Sequence, residues 1–513
     1  MSNIVTREHK HNSEIWSCDI MIAGAGFAGS LSALALKQSG FEVCLVEKKS
    51  HPRFTIGESS TPIADMILRD LSVKYSLHWL KPLSRYGTWQ EQYPEIQCGI
   101  KRGFSYYKHN PGQSFSTDQS HNNELLVAAS ASDERSDTNW FRADVDSFLV
   151  KKVREYGIPY FENTEITGCI LDEKLTFSVQ SSESISKIKA DFYIDATGGS
   201  NLIASLFNVN ASHDSLLTNS RAIYSHFDGL ETWSDQLEKL NISRSDYPYN
   251  PDNSALHHLI DEGWIWMLRF KTGRTSVGLM LDQNKNKGNE DKTAEEEWRS
   301  IIGKYPSLWE LFELASLSDE PGSLVKTGRL QRSLIRAAGD RWVALPHSAG
   351  FVDPLHSTGI AHTLTGIEKV IEILVANWKN KSRLQKKVQR YSYGVLEELR
   401  FIDKLVDGCY KVMPHFRLFN TWSILYFTAA IWYEQRRLKG DRPTHFLSAG
   451  NEELRAIVDQ SYQELKDMNL TDPSAQEITA FRECVRQRIE PYNIAGLLDP
   501  KARNMYRHTV AEL

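Results

Sequence analysis

Short apolar runs alternate with amphipathic stretches through the first two hundred residues, and the period of each pattern names the element. Residues 18–23 (CDIMIA) are a compact run of strand length, as a strand covered on both faces requires. The turn GAGFAG (24–29) follows directly, then SLSALALKQSG, whose apolar residues recur at helical spacing and stop at Gly40. FEVCLVE, ending at Glu47, is a second strand. Residues 140–157 (WFRADVDSFLVKKVREYG) place Phe148, Leu149 and Val153 on one helical face. Strand patterns come next in IPYFENTEITGCILDE, KLTFSVQ and SKIKADFYIDATGG. Residues 215–330 form a mixed region with strands in WIWMLRF and TSVGLML and a charged, loop-like segment from Asn284 to Glu297. From about Ile367 the pattern is helical and charged to the end. Its most apolar stretch, Trp422 to Tyr433 (WSILYFTAAIWY), is well short of the ~20 residues a membrane span needs and reads as a buried core helix.

The first strand, turn, helix and strand make a unit of dinucleotide-binding type. Gly24 allows the tight turn, Gly26 lets backbone approach a pyrophosphate, and Gly29 lets helix and strand pack closely. Glu47 stands where a carboxylate accepts ribose hydroxyls. GxGxxG does not recur, so one dinucleotide is expected and a separate nicotinamide domain is not. The strand ending in DATGG (195–199) offers a second place, around Asp195 and Gly198, where backbone lies against that ligand.

Composition narrows the class. The chain is 41% hydrophobic with a net charge of −5, which lacks the basic excess of a nucleic-acid binder. Six widely spaced cysteines without a CxxC argue against a disulfide framework or a zinc site, so no metal is expected and a reducing cytoplasm fits. The polar residues 1–17 read as a tail and not as a signal peptide.

The segment DPLHSTGI (353–360) is too polar for packing alone. It reads as a loop feeding a helix, with Ser357 or Thr358 as the cap and outward N–H groups that attract anions.

Four motifs in order, GAGFAG (24–29), IGESSTP (56–62), DATGG (195–199) and AGFVDPLHSTGI (349–360), together resemble the flavin-dependent halogenases of the FAD-dependent monooxygenase superfamily, in the tryptophan-halogenase-like branch. The resemblance implies an α/β fold: a Rossmann-like, GR2-type FAD-binding module over residues 18–375, with a mixed substrate-binding sheet interleaved at about 80–140 and 215–330, and a helical C-terminal region over 376–513. It implies FAD contacts at Gly24, Gly26, Gly29, Glu47, Ser59, Arg142, Asp195, Gly198, Asp353, Gly359 and Ile360, and a halide at Ser357, Thr358 and Gly359. Pro346-His347 replaces a common Gly-Asp upstream of the flavin turn. His356 stands where the tryptophan halogenases place a glutamate, and it reads either as an acid–base group or as a hydrogen-bonding core residue.

In CGIKRGFSYYKH (98–109), Lys101 matches the family's essential lysine. Read as one strand, the segment puts Ile100, Phe104 and Tyr106 on one face and Lys101 opposite them, with Arg102 and Lys108 toward solvent. A desolvated amine there would capture or steer hypohalous acid. GWIWMLRF (263–270) resembles the family's WxWxIP segment: Trp264 and Trp266 match the two tryptophans that keep substrate from the flavin, while Leu268 and Arg269 replace Ile and Pro. The implied activity uses reduced FAD from a partner flavin reductase, oxygen, and chloride or bromide. Together these halogenate an electron-rich, aromatic small molecule, free or tethered to a carrier. Two alternatives stay open: a flavin monooxygenase or oxidase that inserts oxygen directly, and a non-catalytic flavin-binding or redox-sensing protein.

Overall fold

A computed structural model describes residues 14–181, 185–199, 202–213, 215–286 and 292–507. The first strand runs Glu14–Ala23, four residues longer at its start than the apolar run, because it pairs in parallel with Ile185–Asp195 along its whole length. This shortens the expected tail, whose residues 1–13 lie outside the described residues. Val43–Val46 pairs in parallel on the other side, followed by Tyr160–Phe161. Trp342–Ala344 pairs in parallel with the far edge of Ile185–Asp195. Ile20, Met21, Ile22, Leu45 and Ile194 are completely buried, as strands with both faces covered must be. The helices Phe27–Gln38, Arg142–Glu155 and Thr358–Asn377 pack around this sheet. Trp140, expected in a helix, ends the strand Asp137–Trp140, and the helix starts at Arg142.

A second, largely antiparallel sheet carries Ser220–Asp228, Thr275–Asp282, Gly263–Arg269 and Ala255–Ile260, then Gly103–Lys108 and Glu124–Ala128. Both of its faces are covered. Trp264, Trp266 and Leu268 join the main core shared with the first sheet, whereas Ile265 and Met267 join a separate core with Val277, Leu279 and Trp298. Alternation with period 2 therefore sends every other residue of one strand toward the junction of the two sheets.

The charged segment 284–297 is not all loop. Thr293 caps the helix Ala294–Ile302 in a reciprocal capping box with Glu296. The C-terminal region is helical through Lys381–Val412, Phe416–Leu438, Glu452–Asp467 and Ala475–Ile489. It then returns a short strand, Met505–Tyr506, to the edge of the second sheet beside Glu124–Ala128. Leu418–Ala430 is buried throughout, as expected of a core helix, and no helix among the described residues is long and apolar enough to cross a membrane. Nor is any group of three or more His, Cys, Asp or Glu side chains among them arranged to hold a metal ion.

Candidate active site

A cavity of about 390 Å³ runs along the C-terminal end of the parallel sheet, where open α/β sheets bind their ligands. Gly24, Gly26, Glu47, Arg142, Gly198, Gly359 and Ile360 line it. The expected FAD contacts drawn from five separate parts of the chain therefore meet on one wall. Gly24 has φ +94° and sits so close to the DATGG turn that a Cβ would come within 2.7 Å of the Ala196 carbonyl oxygen. At Gly29 a Cβ would lie 1.8 Å from the Gly24 carbonyl oxygen, so the helix can enter the turn only with glycine there. The Glu47 carboxylate accepts the Ala25 and Lys49 N–H groups, each at 2.9 Å. It is thus pinned at the strand end, against the GAGFAG turn. Arg142 is held by Asp146 and donates to the Ile56 and Gly57 carbonyls at 3.3 and 3.0 Å. That ties the GESSTP segment to the cavity. These residues fit a dinucleotide: a glycine cradle, a helix start whose N-cap glycine brings no side chain and whose Phe27 N–H is held by Asp146 at 3.0 Å, and a carboxylate at the ribose end.

Gly29, Asp195, Asp353, Ser59, Ser357 and Thr358 stand outside that lining. Asp195 turns back to accept the Thr197 N–H and hydroxyl, at 2.9 and 2.6 Å, and so shapes the DATGG turn. Asp353 is buried and accepts from Ser220 Oγ (2.7 Å), Tyr410 OH (2.9 Å) and the Leu355 N–H (3.1 Å). Burial pushes its carboxyl up to about 7, against the pull of those donors. Ser357 is the residue before the helix, with φ 53°, but its hydroxyl does not cap it. It donates instead to Ser59 Oγ at 2.9 Å, joining the Ser-Thr-Gly turn to GESSTP.

His356 is fully buried and stacks on Tyr426 with centroids 4.2 Å apart. Its ring nitrogens face Tyr106 OH at 3.4 Å and Cys409 Sγ at 3.5 Å. Burial, with His257 nearby, pushes it down to about 3. The ring is therefore neutral at neutral pH and a weak base, which favours the core reading of His356 over acid–base work.

The two tryptophans are anchored through their N–H groups. Trp264 donates to Tyr410 OH at 3.0 Å, and Tyr410 donates on to Asp353. Trp266 donates to Ser276 Oγ at 3.2 Å, and Ser276 donates to Glu58 at 2.7 Å. Gly278 leaves room for the Trp266 ring, which a Cβ would meet at 1.9 Å. Arg269 continues the hairpin ladder opposite Thr275, a place proline would serve poorly for lack of an N–H.

Lys101 departs from the strand reading. The chain kinks at Arg102, whose N–H bonds to the Asn253 carbonyl, so Cys98–Lys101 and Gly103–Lys108 belong to different sheets. The kink lays the Lys101 amine 3.9 Å over the Phe104 ring rather than on the opposite side. Lys101 is completely buried, its Nζ has no hydrogen-bond partner, and Asp137 Oδ2 is 3.9 Å away. Burial lowers it from 10.5 to about 8, with Asp137, Asp65 and Glu434 opposing. Around it Thr61, Asp65, Asp137 and Asn139 also carry buried polar atoms without partners. Lys108, expected in solvent, is buried and paired with Asp261 at 2.8 Å; Arg102 is half-buried and paired with Asp133. The sequence reading missed Asp65, Asp137 and Glu434: each sits inside an ordinary helix or strand pattern, and only the tertiary fold gathers them.

A family model described as tryptophan halogenase matches residues 139–413, and one for an NAD(P)-binding Rossmann-like domain matches residues 22–96. The tetracycline 7-halogenase of Kitasatospora aureofaciens is 26% identical over 429 residues, 80% of this chain and 73% of that protein. The monodechloroaminopyrrolnitrin halogenase PrnC of Pseudomonas fluorescens is 27% identical over 419 residues, 80% and 71% of the two chains. The crystal structure of halogenase PltM in complex with phloroglucinol and FAD superposes with a TM-score of 0.85 at 23% identity, covering 95% of this chain and 99% of that one. With the glycine cradle, the Ser-Thr-Gly turn and the buried lysine in place, the family match over more than half its length settles the affiliation: this chain belongs to the tryptophan halogenase family of flavin-dependent halogenases.

Proposed function

We propose that the protein halogenates an electron-rich aromatic small molecule, with reduced FAD delivered by a separate flavin reductase. Bound in the 390 Å³ cavity, reduced FAD would with oxygen and a halide supply hypohalous acid. The chain's own work is placement. Gly24, Gly26 and the Phe27–Gln38 helix start take the pyrophosphate, and Glu47 takes the ribose. In the Ser357–Thr358–Gly359 turn, at the start of a 20-residue helix, the Thr358 hydroxyl and the Thr358 and Gly359 N–H groups are offered to the halide with no competing carboxylate, while Ser357 gives its N–H to Pro354 and its hydroxyl to Ser59. Trp264 and Trp266, anchored at their N–H groups, keep the aromatic substrate apart from the flavin.

Hypohalous acid is then received by Lys101. At neutral pH an amine held near 8 is mostly ammonium; it donates a hydrogen bond to the acid's oxygen and gives that oxygen a proton as it leaves. The observation that carries this reading is the Lys101 amine itself, buried, without a hydrogen-bond partner, and beside three carboxyl groups. The test is product analysis by mass spectrometry with FAD, NADH, a flavin reductase, oxygen and a panel of electron-rich aromatics. Halogenated product requiring both reductase and halide is expected. A hydroxylated product indifferent to halide would instead establish direct oxygen insertion.

A further inference from the structure

The helix Lys381–Val412 carries its cations in two unlike halves. In the later half Arg400, Lys404 and Lys411 each meet a carboxylate, on Glu397, Asp459 and Asp407. In the first half, and in the turn before it, stand Lys379, Lys381, Arg383, Lys386, Lys387 and Arg390, and the chain has no Asp or Glu from residue 373 to 396. None of these six cations forms an ion pair among the described residues. All but the half-buried Lys387 are exposed, while Leu384, Val388 and Tyr391 between them are buried.

Helix stability gives no reason for this arrangement. Asn380 caps the helix by accepting the Arg383 N–H at 3.0 Å, but the first turn holds Lys381 and Arg383 in place of the acidic residues that the helix dipole favours there. The like charges also repel one another along the helix. Arg383, Lys386, Arg390 and Tyr393 follow at spacings of three and four, so they form one stripe on the outer side. Exposed apolar side chains border it. Val375, before the turn, is 47% exposed and Tyr393 is 65% exposed. The Ala337 N–H bonds Ser392 Oγ at 2.8 Å, which sets the segment carrying the exposed Ile335 and Arg336 alongside.

We propose that this face docks on an anionic lipid surface, with the six cations at the headgroups and Val375, Tyr393 and Ile335 entering the interface. Charge is what the face has to offer, and its complement is a negative surface. Four of the six are lysines, which protein interfaces avoid and which an anionic bilayer attracts as well as arginines. The net charge of −5, carried by the rest of the chain, disfavours a long nucleic acid. The helix Thr358–Asn377 leads from the Ser-Thr-Gly turn to this face, about 30 Å at 1.5 Å per residue. The face is thus an attachment away from the chemistry, and it holds the protein where apolar aromatic compounds partition.

The experiment sediments the full chain, loaded with FAD, with vesicles of phosphatidylcholine alone or mixed equally with phosphatidylglycerol. Binding to the mixed vesicles only, weakening steeply as salt rises, is expected. Replacing Lys379, Lys381, Lys386 and Lys387 together by Gln should lower that binding roughly fivefold per lysine, on the order of 100-fold or more in all. FAD affinity of this variant should be unchanged, which shows that it is folded. Tyr393→Ser and Ile335→Ser should each weaken binding several-fold without altering its salt dependence. Equal binding to both vesicles, binding to neither, or undiminished binding by the lysine variant would overturn the proposal. Tighter binding to polyglutamate or to duplex DNA at equal anionic charge would also overturn it, and would mark the face as a dock for an acidic protein or a nucleic acid.

Discussion

The dinucleotide cavity and the lysine site lie in one protein but are built by opposite means. The cavity is made of backbone. Gly24, Gly26, Gly29 and Gly198 matter because they lack side chains: Gly29 packs on the Gly24 carbonyl, and Gly24 lets the turn lie against Ala196. The lysine site is made of side chains from distant segments: Asp137 faces Lys101 at 3.9 Å, and Phe104, beneath the amine, walls a cleft with Thr61, Tyr426 and Glu434. Binding a pyrophosphate needs N–H groups and close approach, which a short local motif encodes. Guiding a reactive acid needs a charge held out of water, which only tertiary structure provides.

Damage to the first region should remove the cofactor, and damage to the second should spare it. The largest effect is expected for Gly29→Ala, whose Cβ would overlap the Gly24 carbonyl oxygen. The turn must shift, and titration should find no tight FAD binding. Retained affinity would show that the turn is not the cradle. Glu47→Ala removes a carboxylate pinned by two N–H groups, and FAD affinity should fall by about 1.5–3 kcal/mol. Isothermal titration measures it, and an unchanged Kd would contradict the ribose assignment.

Asp353 joins the Trp264–Tyr410 network to the turn before the Ser-Thr-Gly helix, and it links the two regions through stability. Its carboxyl sits at about 7 when folded and near 3.8 otherwise. Between those values the folded state holds the extra proton, so stability falls as pH rises from about 4 to about 7 and is level above. Asp353→Asn, uncharged throughout, should flatten that part of the profile by a few kcal/mol at most. A pH series of denaturant melts checks the sign. The smallest effect on the chemistry is expected for Arg102→Ala: its guanidinium bonds Asp133 and the Ser130 and Ala131 carbonyls and lines neither region, so its loss should cost roughly 1–3 kcal/mol of stability only. FAD binding and product should both persist in activity assays.

The same contrast explains what the sequence disclosed. Strand, GAGFAG turn, helix and Glu47 were legible because one βαβ unit holds them all, and GESSTP and DPLHSTGI carried the resemblance to the family. The placement of Lys101 was not legible. Its segment alternates like a single strand, and the kink at Arg102 depends on the Asn253 carbonyl, far along the chain. The Trp140 helix start failed for a related reason: pairing of Asp137–Trp140 with Cys98–Lys101 overrides the local helical period. Glu434 directly follows the apolar stretch Trp422–Tyr433, and nothing local shows that it faces inward.

The separation of the two regions is tested most directly by Lys101→Met, which keeps the stem and removes the amine. The FAD-loaded variant is supplied with reductase, oxygen and bromide, and two yields are read together: hypohalous acid trapped by a 1,3-diketone, and brominated aromatic by mass spectrometry. The expected result is undiminished trapped oxidant with aromatic product lowered on the order of 100-fold or more. Product at the wild-type rate, or loss of oxidant along with product, would contradict the assignment of Lys101 to a site apart from the flavin.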